Sequence, residues 1–166
     1  NLNIFNNHCD TVCMANIAQM VNVLQAMILT EGSKMVLTPT YHVFALYAAH
    51  QGAQQLESYA ETSILRHDEE AVPTLHVSAS RAADGKILIT VANLDAAHPA
   101  EAQVLLGGVK AAAVNGTVLC GTADAHNTFT APNAVQPKAL PAVLTAEGFT
   151  AALPACSVAA FTVTPQ

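Results

Sequence analysis

The segment LHVSASRAADGKILITV, residues 75–91, decides the fold. Apolar and polar residues alternate through residues 75–80 and again through residues 87–91, which is the pattern of β-strands with one buried face. Between the two runs, Asp84-Gly85 is a typical sequence for a tight hairpin turn. We therefore predict an antiparallel β-hairpin here.

Further short apolar runs, separated by turn residues, continue to the C-terminus. Their even spacing predicts an antiparallel β-sandwich. Asn115-Gly116 is a turn-prone pair within one of the runs. The longest irregular stretch, residues 121–137, is expected to pack on another part of the chain or to serve a site. The predicted strands are residues 102–106, 114–119, 142–144, 149–153 and 158–163.

The first 52 residues have a different character, being rich in Met, Asn, His and long apolar side chains. Apolar residues at intervals of three and four in residues 2–12 predict the last turns of an amphipathic helix. Thr38-Pro39 offers a capping hydroxyl and a helix-opening proline, and Gly52 is a plausible stop. The apolar run 15–24 fits either a strand or a helix by periodicity.

The composition excludes several classes of protein. With 52% hydrophobic and 11% charged residues, the chain is not intrinsically disordered. A net charge of -6, with only 6 Lys and Arg, argues against nucleic acid and anionic membranes as partners. The apolar stretch 14–29 is interrupted by four amides and is too short to span a bilayer. Because the chain starts at Asn1 without a leader pattern, we expect its true N-terminus elsewhere.

The four cysteines, at positions 9, 13, 120 and 156, match neither a disulfide scaffold nor a zinc site. Buried free thiols in a reducing compartment are the simplest interpretation, which favours a cytoplasmic protein. A metal site built on His8, Cys9 and Cys13 is an alternative, but their spacing fits no standard zinc pattern. We expect neither a metal nor another cofactor.

Candidate catalytic groups are few. The acidic pair Glu69-Glu70 lies in a polar segment, and no apolar flank suggests the burial that raises a catalytic pKa. The chain has no G-x-S-x-G nucleophile elbow, and Gly107-Gly108 lacks the lysine and hydroxyl of a phosphate-binding loop. No nucleophilic or phosphate-binding chemistry is indicated.

Gln19 is the most interesting polar residue, because its carboxamide is set among apolar neighbours in the run 15–24. A buried amide must find hydrogen-bond partners or destabilise the fold. The residues alone leave two interpretations open: a structural glutamine bonded to nearby backbone, or a group that meets a substrate.

Six segments resemble the family 51 α-L-arabinofuranosidases of the glycoside hydrolases. The first three resemble the end of that family's catalytic domain, and the last three resemble its C-terminal sandwich. Together they cover nearly the whole chain. They are LNIFNNHCD (2–10), MANIAQMVNVLQAMILTEG (14–32), KMVLTPTYHVFALYAAHQG (34–52), VSASRAADGKILITVANLD (77–95), GTADAHNTFTAPNAVQP (121–137) and LPACSVAAFTV (153–163).

The resemblance implies a mainly β chain, in which a jelly-roll-like antiparallel β-sandwich follows the last strand and helices of a (β/α)8 TIM barrel. Residues 1–52 are then a remnant of the catalytic barrel, and residues 53–166 are the C-terminal sandwich. Within the remnant, the resemblance assigns residues 1–14 to the end of helix seven, 15–24 to strand eight and 38–52 to helix eight.

The resemblance also implies a retaining, exo-acting enzyme that releases terminal α-L-arabinofuranosyl residues from arabinan, arabinoxylan and arabino-oligosaccharides. Gln19, in the motif A-Q-x-V-N, corresponds to a residue that contacts the arabinose. The family's acid/base and nucleophile glutamates lie upstream of this chain, so the isolated chain is expected to be inactive.

The expected partners are the saccharide, the remainder of the barrel and further copies of the intact enzyme. The alternative is a noncatalytic sandwich for subunit contact or sugar binding. The absence of Trp, with aromatics at 5%, argues against sugar stacking.

Overall fold

The computed structural model describes residues 1–166, and its regular elements are predominantly antiparallel β-strands, as predicted. Helix α1 spans Leu2–Asn7, and helix α2 spans Pro39–Tyr47 and continues into a 3-10 turn, Ala48–His50. The strands are β1 Ile28–Glu31, β2 Lys34–Leu37, β3 Gln54–Leu56, β4 Ile64–His67, β5 Glu70–Pro73, β6 Leu75–Arg81, β7 Ile87–Asn93, β8 Ala100–Leu105, β9 Ala111–Cys120, β10 Lys138–Leu140, β11 Val143–Leu144, β12 Gly148–Leu153 and β13 Ser157–Pro165.

Two sheets form the sandwich. The larger has six strands in the order β10-β9-β13-β7-β6-β3, and the smaller has three in the order β11-β12-β8. Alternate residues of β7, β9 and β13 face β12 across one apolar core. At its centre, the rings of Phe149 and Phe161 lie with centroids 4.9 Å apart. The predicted hairpin at residues 75–91 is the β6–β7 pair, and Gly85 takes a φ of +84° in its turn.

The opposite face of the large sheet carries hydroxyls on β6 and β7, together with the buried aliphatic side chains of Leu88 and Leu119. Because side chains alternate along a strand, Ser78, Ser80 and Thr90 point away from the core that Ile89 joins. Helix α1 packs against β6 on this hydroxyl face. The chain therefore has an apolar interface between the sheets and a polar interface beneath α1.

Two hairpins stand apart from the sandwich. Strands β1 and β2 form one of them, and β4 and β5 form the other. The β4–β5 hairpin is exposed along almost its whole length. At its base, the Ser63 and Thr74 hydroxyls are 2.7 Å apart, and the backbone N–H of Thr74 donates to the Ser63 carbonyl at 2.9 Å. Strands β4 and β5 pair with each other and with no strand of either sheet.

The prediction of a strand over residues 15–24 is wrong for this chain, and the chain forms no barrel. The segment is irregular apart from one bridge between Val21 and Ile28. A barrel strand needs a hydrogen-bonded neighbour along each side, and this single bridge is the only pairing that the segment makes. Helix α1 ends at Asn7, so the first helix is also shorter than predicted. The division at residue 52 stays a prediction.

Helix α2 follows its predicted signals. Thr38 is the N-cap, and its Oγ1 accepts a hydrogen bond from the Tyr41 backbone N–H at 3.4 Å. Pro39 occupies the first turn, and Gly52, with a φ of +72°, follows the 3-10 turn. In contrast, Asn115-Gly116 makes no turn, because β9 runs straight through it.

Loop 121–137 packs on the β1–β2 hairpin through Asn127. The Asn127 Nδ2 donates to the carbonyls of Leu37 and Val135, both at 2.8 Å, and its Oδ1 accepts from the Val135 N–H at 2.7 Å. The side chain is 3% exposed. One amide therefore closes the loop on itself and attaches it to the end of β2.

Candidate functional site

Gln19 lies at the surface, in the irregular segment between α1 and β1. Its side chain makes no hydrogen bond within the chain. The backbone after it is fixed, because the Met20 carbonyl accepts from the N–H groups of Met27 and Ile28 at 3.0 and 3.1 Å. Gln19 is therefore an exposed amide and not a satisfied buried one.

The apolar side chains around Gln19 in sequence are exposed as well. Met14 is 71% exposed, Met20 57% and Leu24 88%. Exposed apolar side chains concentrated in one segment commonly mark an interface. This stretch has the character of a surface that another structural unit covers.

The carboxyl groups are exposed, except for Asp95, which is half-buried. Hydrogen bonds from the Ala97 backbone and from His98 lower the pKa of Asp95, and contacts with Lys86 and Thr122 lower the pKa of Asp84 and Asp124 respectively. A general acid in a glycosidase needs its pKa raised by burial. None of these three carboxyls has that environment.

A connected polar cluster joins the helices to the hydroxyl face of the large sheet. Asn3 Oδ1 lies 2.9 Å from Ser78 Oγ and 2.8 Å from Thr90 Oγ1, and both hydroxyls are placed to donate to it. His50 lies between Ser80, 2.7 Å from Nδ1, and Thr90, 3.1 Å from Nε2. We call Asn3, His50, Ser78, Ser80 and Thr90 the joint cluster.

Burial shapes the ionisation of this region. It lowers the pKa of His50, and a neutral ring suits the site because one nitrogen then donates while the other accepts. Burial also raises the pKa of the Tyr47 phenol to about 12, with Thr90 opposing part of the shift. The cluster is therefore neutral at physiological pH, which fits a structural joint.

The sequence pattern did not single out the joint cluster, although signals for it are present. Asn3, Asn6 and Asn7 are spaced i, i+3 and i+4, which places three amides on one side of a helix. All three donate to residues of β6, at 2.8 to 3.0 Å. The sequence signal for the joint cluster is therefore a row of amides along one side of a helix, together with serines on the outward-facing side of a strand.

A cleft of about 160 Å³ lies where α1, β6 and residues 58–60 meet. Asn7, Ser58 and Tyr59 line it, and the buried Asn7 Oδ1 and Ser58 Oγ have no hydrogen-bond partner. Tyr59 is 82% exposed. This exposed ring could not be predicted from the low aromatic content, because composition does not show which aromatic residues reach the surface.

The residues of the metal alternative do not form a centre. Cys9 and Cys13 are exposed free thiols, so the expectation of burial is wrong for these two. The structure brings no three His, Cys, Asp or Glu side chains into a metal-ligating group. The helices are also too short or too polar for any of them to cross a membrane.

Comparison with known proteins places this geometry in context. Residues 1–157 match the family model described as the α-L-arabinofuranosidase C-terminal domain. A Bacteroides ovatus protein named intracellular exo-α-L-arabinofuranosidase is 42% identical over 139 residues, covering 82% of this chain and 27% of that protein.

Solved structures of family 51 α-L-arabinofuranosidases are also similar to this chain. The GH51 arabinofuranosidase of Xanthomonas axonopodis pv. citri is 46% identical and superposes with a TM-score of 0.93, over 99% of this chain and 34% of that one. A family 51 α-L-arabinofuranosidase of Bifidobacterium longum is 28% identical, with a TM-score of 0.85, over 98% and 32%. The present chain thus spans about a third or less of each relative. With the family model covering nearly all of it, the chain belongs to the α-L-arabinofuranosidase C-terminal domain family.

Proposed function

We propose that this chain is the C-terminal part of a retaining, exo-acting α-L-arabinofuranosidase. The intact enzyme would hydrolyse terminal α-L-arabinofuranosyl residues of arabinan, arabinoxylan and arabino-oligosaccharides. The observation that carries the proposal is the 42% identity to the Bacteroides ovatus protein, whose name specifies an exo-acting arabinofuranosidase. That name also specifies an intracellular protein, which supports a cytoplasmic location for the intact enzyme.

Retention of anomeric configuration requires two carboxyl groups about 5 Å apart on either side of the glycosidic bond. The exposed carboxyls of this chain do not provide a buried acid. In the proposal, the acid/base and nucleophile glutamates come from the polypeptide upstream. The isolated chain is therefore inactive towards arabinofuranosides.

Gln19 is proposed to contact the arabinose. A carboxamide both donates and accepts, so it can hold a sugar hydroxyl and orient the furanose ring for attack. Its exposure and its lack of an internal partner support this role. Gln19 positions the sugar and takes no part in proton transfer.

The remainder of the barrel is the proposed cover for the apolar surface around Gln19. Ile4 and Phe5 of α1, 42% and 37% exposed, are further apolar side chains that such a body could bury. We also propose that the intact enzyme forms a homo-oligomer. The exposed β4–β5 hairpin supports this, because a two-stranded hairpin gains stability when it packs on another surface.

The second candidate function is a noncatalytic sandwich for subunit contact or sugar binding. The exposed β4–β5 hairpin favours subunit contact, and the exposed ring of Tyr59 favours a sugar contact.

The test is the Gln19→Ala substitution in the full-length enzyme, assayed with an aryl α-L-arabinofuranoside. Loss of one or two hydrogen bonds to the sugar should lower kcat/KM by roughly tenfold or more, with the thermal midpoint unchanged. Gln51→Ala, at another exposed glutamine, is the matched control. Equal kinetics for both variants would show that Gln19 does not contact the sugar. Retention of the anomeric configuration is a separate test, made by NMR of the anomer that is released first.

A further inference from the structure

The direction of the Gln19 carboxamide depends on the backbone that carries it. The side chain makes no hydrogen bond within the chain, and the backbone of residues 13–19 makes none either. The first attachment after Gln19 is the Met20 carbonyl, which accepts from two N–H groups at the start of β1, at 3.0 and 3.1 Å. The structure of the loop formed by residues 20–28 therefore determines where the Gln19 amide points.

Asn22 attaches this loop to β1 through both ends of its side-chain amide. Its Oδ1 accepts from the Thr30 backbone N–H at 2.7 Å, and its Nδ2 donates to Thr30 Oγ1 at 2.8 Å. The backbone N–H of Asn22 also donates to the Ile28 carbonyl at 3.1 Å. We call the two side-chain bonds to Thr30 the Asn22 clamp.

The far end of the loop is fixed separately. Thr38 Oγ1 donates to the Ala26 carbonyl at 2.8 Å, and the Thr38 N–H donates to the Met27 carbonyl at 3.0 Å. Among residues 20–25, Asn22 alone makes side-chain hydrogen bonds. Loss of the clamp would therefore release the part of the loop nearest to Gln19, while Thr38 still holds the other end.

The backbone conformation at Asn22 suits an asparagine. Its φ is +55°, in the left-handed region that asparagine tolerates because its short side chain bonds locally. Gln25, in the same loop, has a φ of +61°, but its side chain is exposed and makes no hydrogen bond. The two positions share a backbone conformation and differ in the clamp, so they form a matched pair for mutation.

We propose that Asn22 is a positioning residue for Gln19 in the hydrolysis of arabinofuranosides. The inference rests on the proposed function, which gives Gln19 its contact with the arabinose. Asn22 holds the peptide that follows Gln19 on β1, so that the carboxamide meets the sugar at a fixed distance and direction. Because small displacements of such groups slow a reaction, the clamp contributes to turnover without touching the sugar.

The first test is Asn22→Gly in the full-length enzyme. Glycine adopts a positive φ readily, so the variant keeps the backbone conformation and loses the clamp. The kcat/KM for an aryl α-L-arabinofuranoside should fall by roughly three- to tenfold, with the thermal midpoint nearly unchanged because Asn22 is exposed. Gln25→Gly is the matched control and should change neither quantity. Equal kcat/KM for the two glycine variants would overturn the proposal.

A double-mutant cycle shows whether Asn22 acts through Gln19. The variant with both Gln19→Ala and Asn22→Gly should have the kcat/KM of Gln19→Ala alone, because no carboxamide is left to position. If the two losses multiply instead, Asn22 acts independently of Gln19 and the inference is wrong. An unchanged kcat/KM for Gln19→Ala would overturn it as well.

Asn22→Asp is the conservative variant that should restore activity. One carboxylate oxygen can accept from the Thr30 N–H, and the other can accept from the Thr30 hydroxyl, which rotates to donate. Most of the parent kcat/KM should therefore return. A loss as large as that of Asn22→Gly would show that the clamp does not determine turnover.

Hydrogen exchange in the 166-residue chain tests the clamp without catalysis. The amides of Met27 and Ile28, which donate to Met20, should exchange roughly three- to tenfold faster in Asn22→Gly and at the parent rate in Gln25→Gly. Unchanged exchange in Asn22→Gly would refute this inference and leave the proposed function standing. If exchange rises but the full-length protein hydrolyses no arabinofuranoside, the proposed function fails together with the role of Asn22 in turnover, and only the clamp remains.

Discussion

Asn3 and Thr90 are 87 positions apart in sequence, yet the Thr90 hydroxyl donates to the Asn3 amide oxygen at 2.8 Å. Both side chains are almost fully buried, at 3% and 1% exposed. The first helix is thereby joined to the centre of the large sheet by a contact between two uncharged polar groups.

Thr90→Val keeps the shape of the side chain and removes the hydroxyl. We expect a loss of about 1–3 kcal/mol in the free energy of unfolding, because Asn3 and His50 each lose a partner in a buried place. Urea unfolding measures the change. Thr164→Val, at a threonine of β13 whose hydroxyl makes no bond, is the matched control and should have little effect. Similar values for the two variants would show that the joint cluster contributes nothing to stability.

Acidification should weaken the fold through His50. Burial lowers its pKa in the folded chain below the ordinary value of 6.5, so the unfolded chain takes up this proton at a higher pH. Between these two pKa values the unfolded state holds more protons, and the free energy of unfolding falls as the pH is lowered.

His50→Gln should remove this component of the pH dependence. His42, whose pKa burial also lowers, contributes with the same sign, so His42→Gln is the comparison variant. The measurement is urea unfolding at several pH values above and below 6.5. A pH slope that His50→Gln leaves intact would assign the effect to other groups.

Asn127→Ala should loosen loop 121–137 without unfolding the sandwich. The substitution leaves a buried N–H of Val135 and the carbonyl of Leu37 unbonded. Each such group that water cannot reach lowers the stability of the loop by about 1–3 kcal/mol. Limited proteolysis should cut the loop faster, while the core strands keep their protection from hydrogen exchange. Asn133→Ala, at an exposed asparagine of the same loop, should be cut at the parent rate.

Gly116→Ala should destabilise the large sheet. A Cβ at this position would lie 2.5 Å from the Leu140 carbonyl oxygen and 2.9 Å from Cε1 of Phe161. Overpacking of this kind costs about 1–3 kcal/mol, measurable as a lower thermal midpoint. Ala112→Ser, on an exposed position of the same strand, provides the control. A midpoint equal to that of the parent would show that β10 can move aside.

Local patterns predicted the parts of the fold that local chemistry determines. The alternation in residues 75–91 predicted a hairpin, which β6 and β7 form. Thr38 was predicted to cap a helix, and its hydroxyl caps α2. The strand predicted over residues 114–119 is confirmed as part of β9, although it contains the turn-prone pair Asn115-Gly116. The glycine there serves a close approach between β9 and its neighbours, which only the assembled sheet reveals. The β4–β5 hairpin also escaped notice, since its residues are nearly all exposed and show no alternation.

The candidate site was less predictable. Gln19 was singled out by its apolar neighbours, but its role came only from resemblance, and its exposure contradicts the expectation of a buried amide. The cleft at Asn7, Ser58 and Tyr59 could not be predicted, because its residues are about 50 positions apart and meet only through α1 and β6. Unbonded polar atoms are a property of the tertiary structure.

The hydroxyl face beneath α1 has a consequence for how the chain opens. Since Asn3 is the only buried residue of α1, detaching this helix breaks hydrogen bonds but exposes little apolar surface. Sensitivity to denaturant and the heat capacity of opening both scale with the surface exposed. Release of α1 should therefore occur as a local fluctuation, nearly independent of urea and distinct from global unfolding in native-state hydrogen exchange. The N-terminal helix can thus separate from the sheet while the sandwich stays folded.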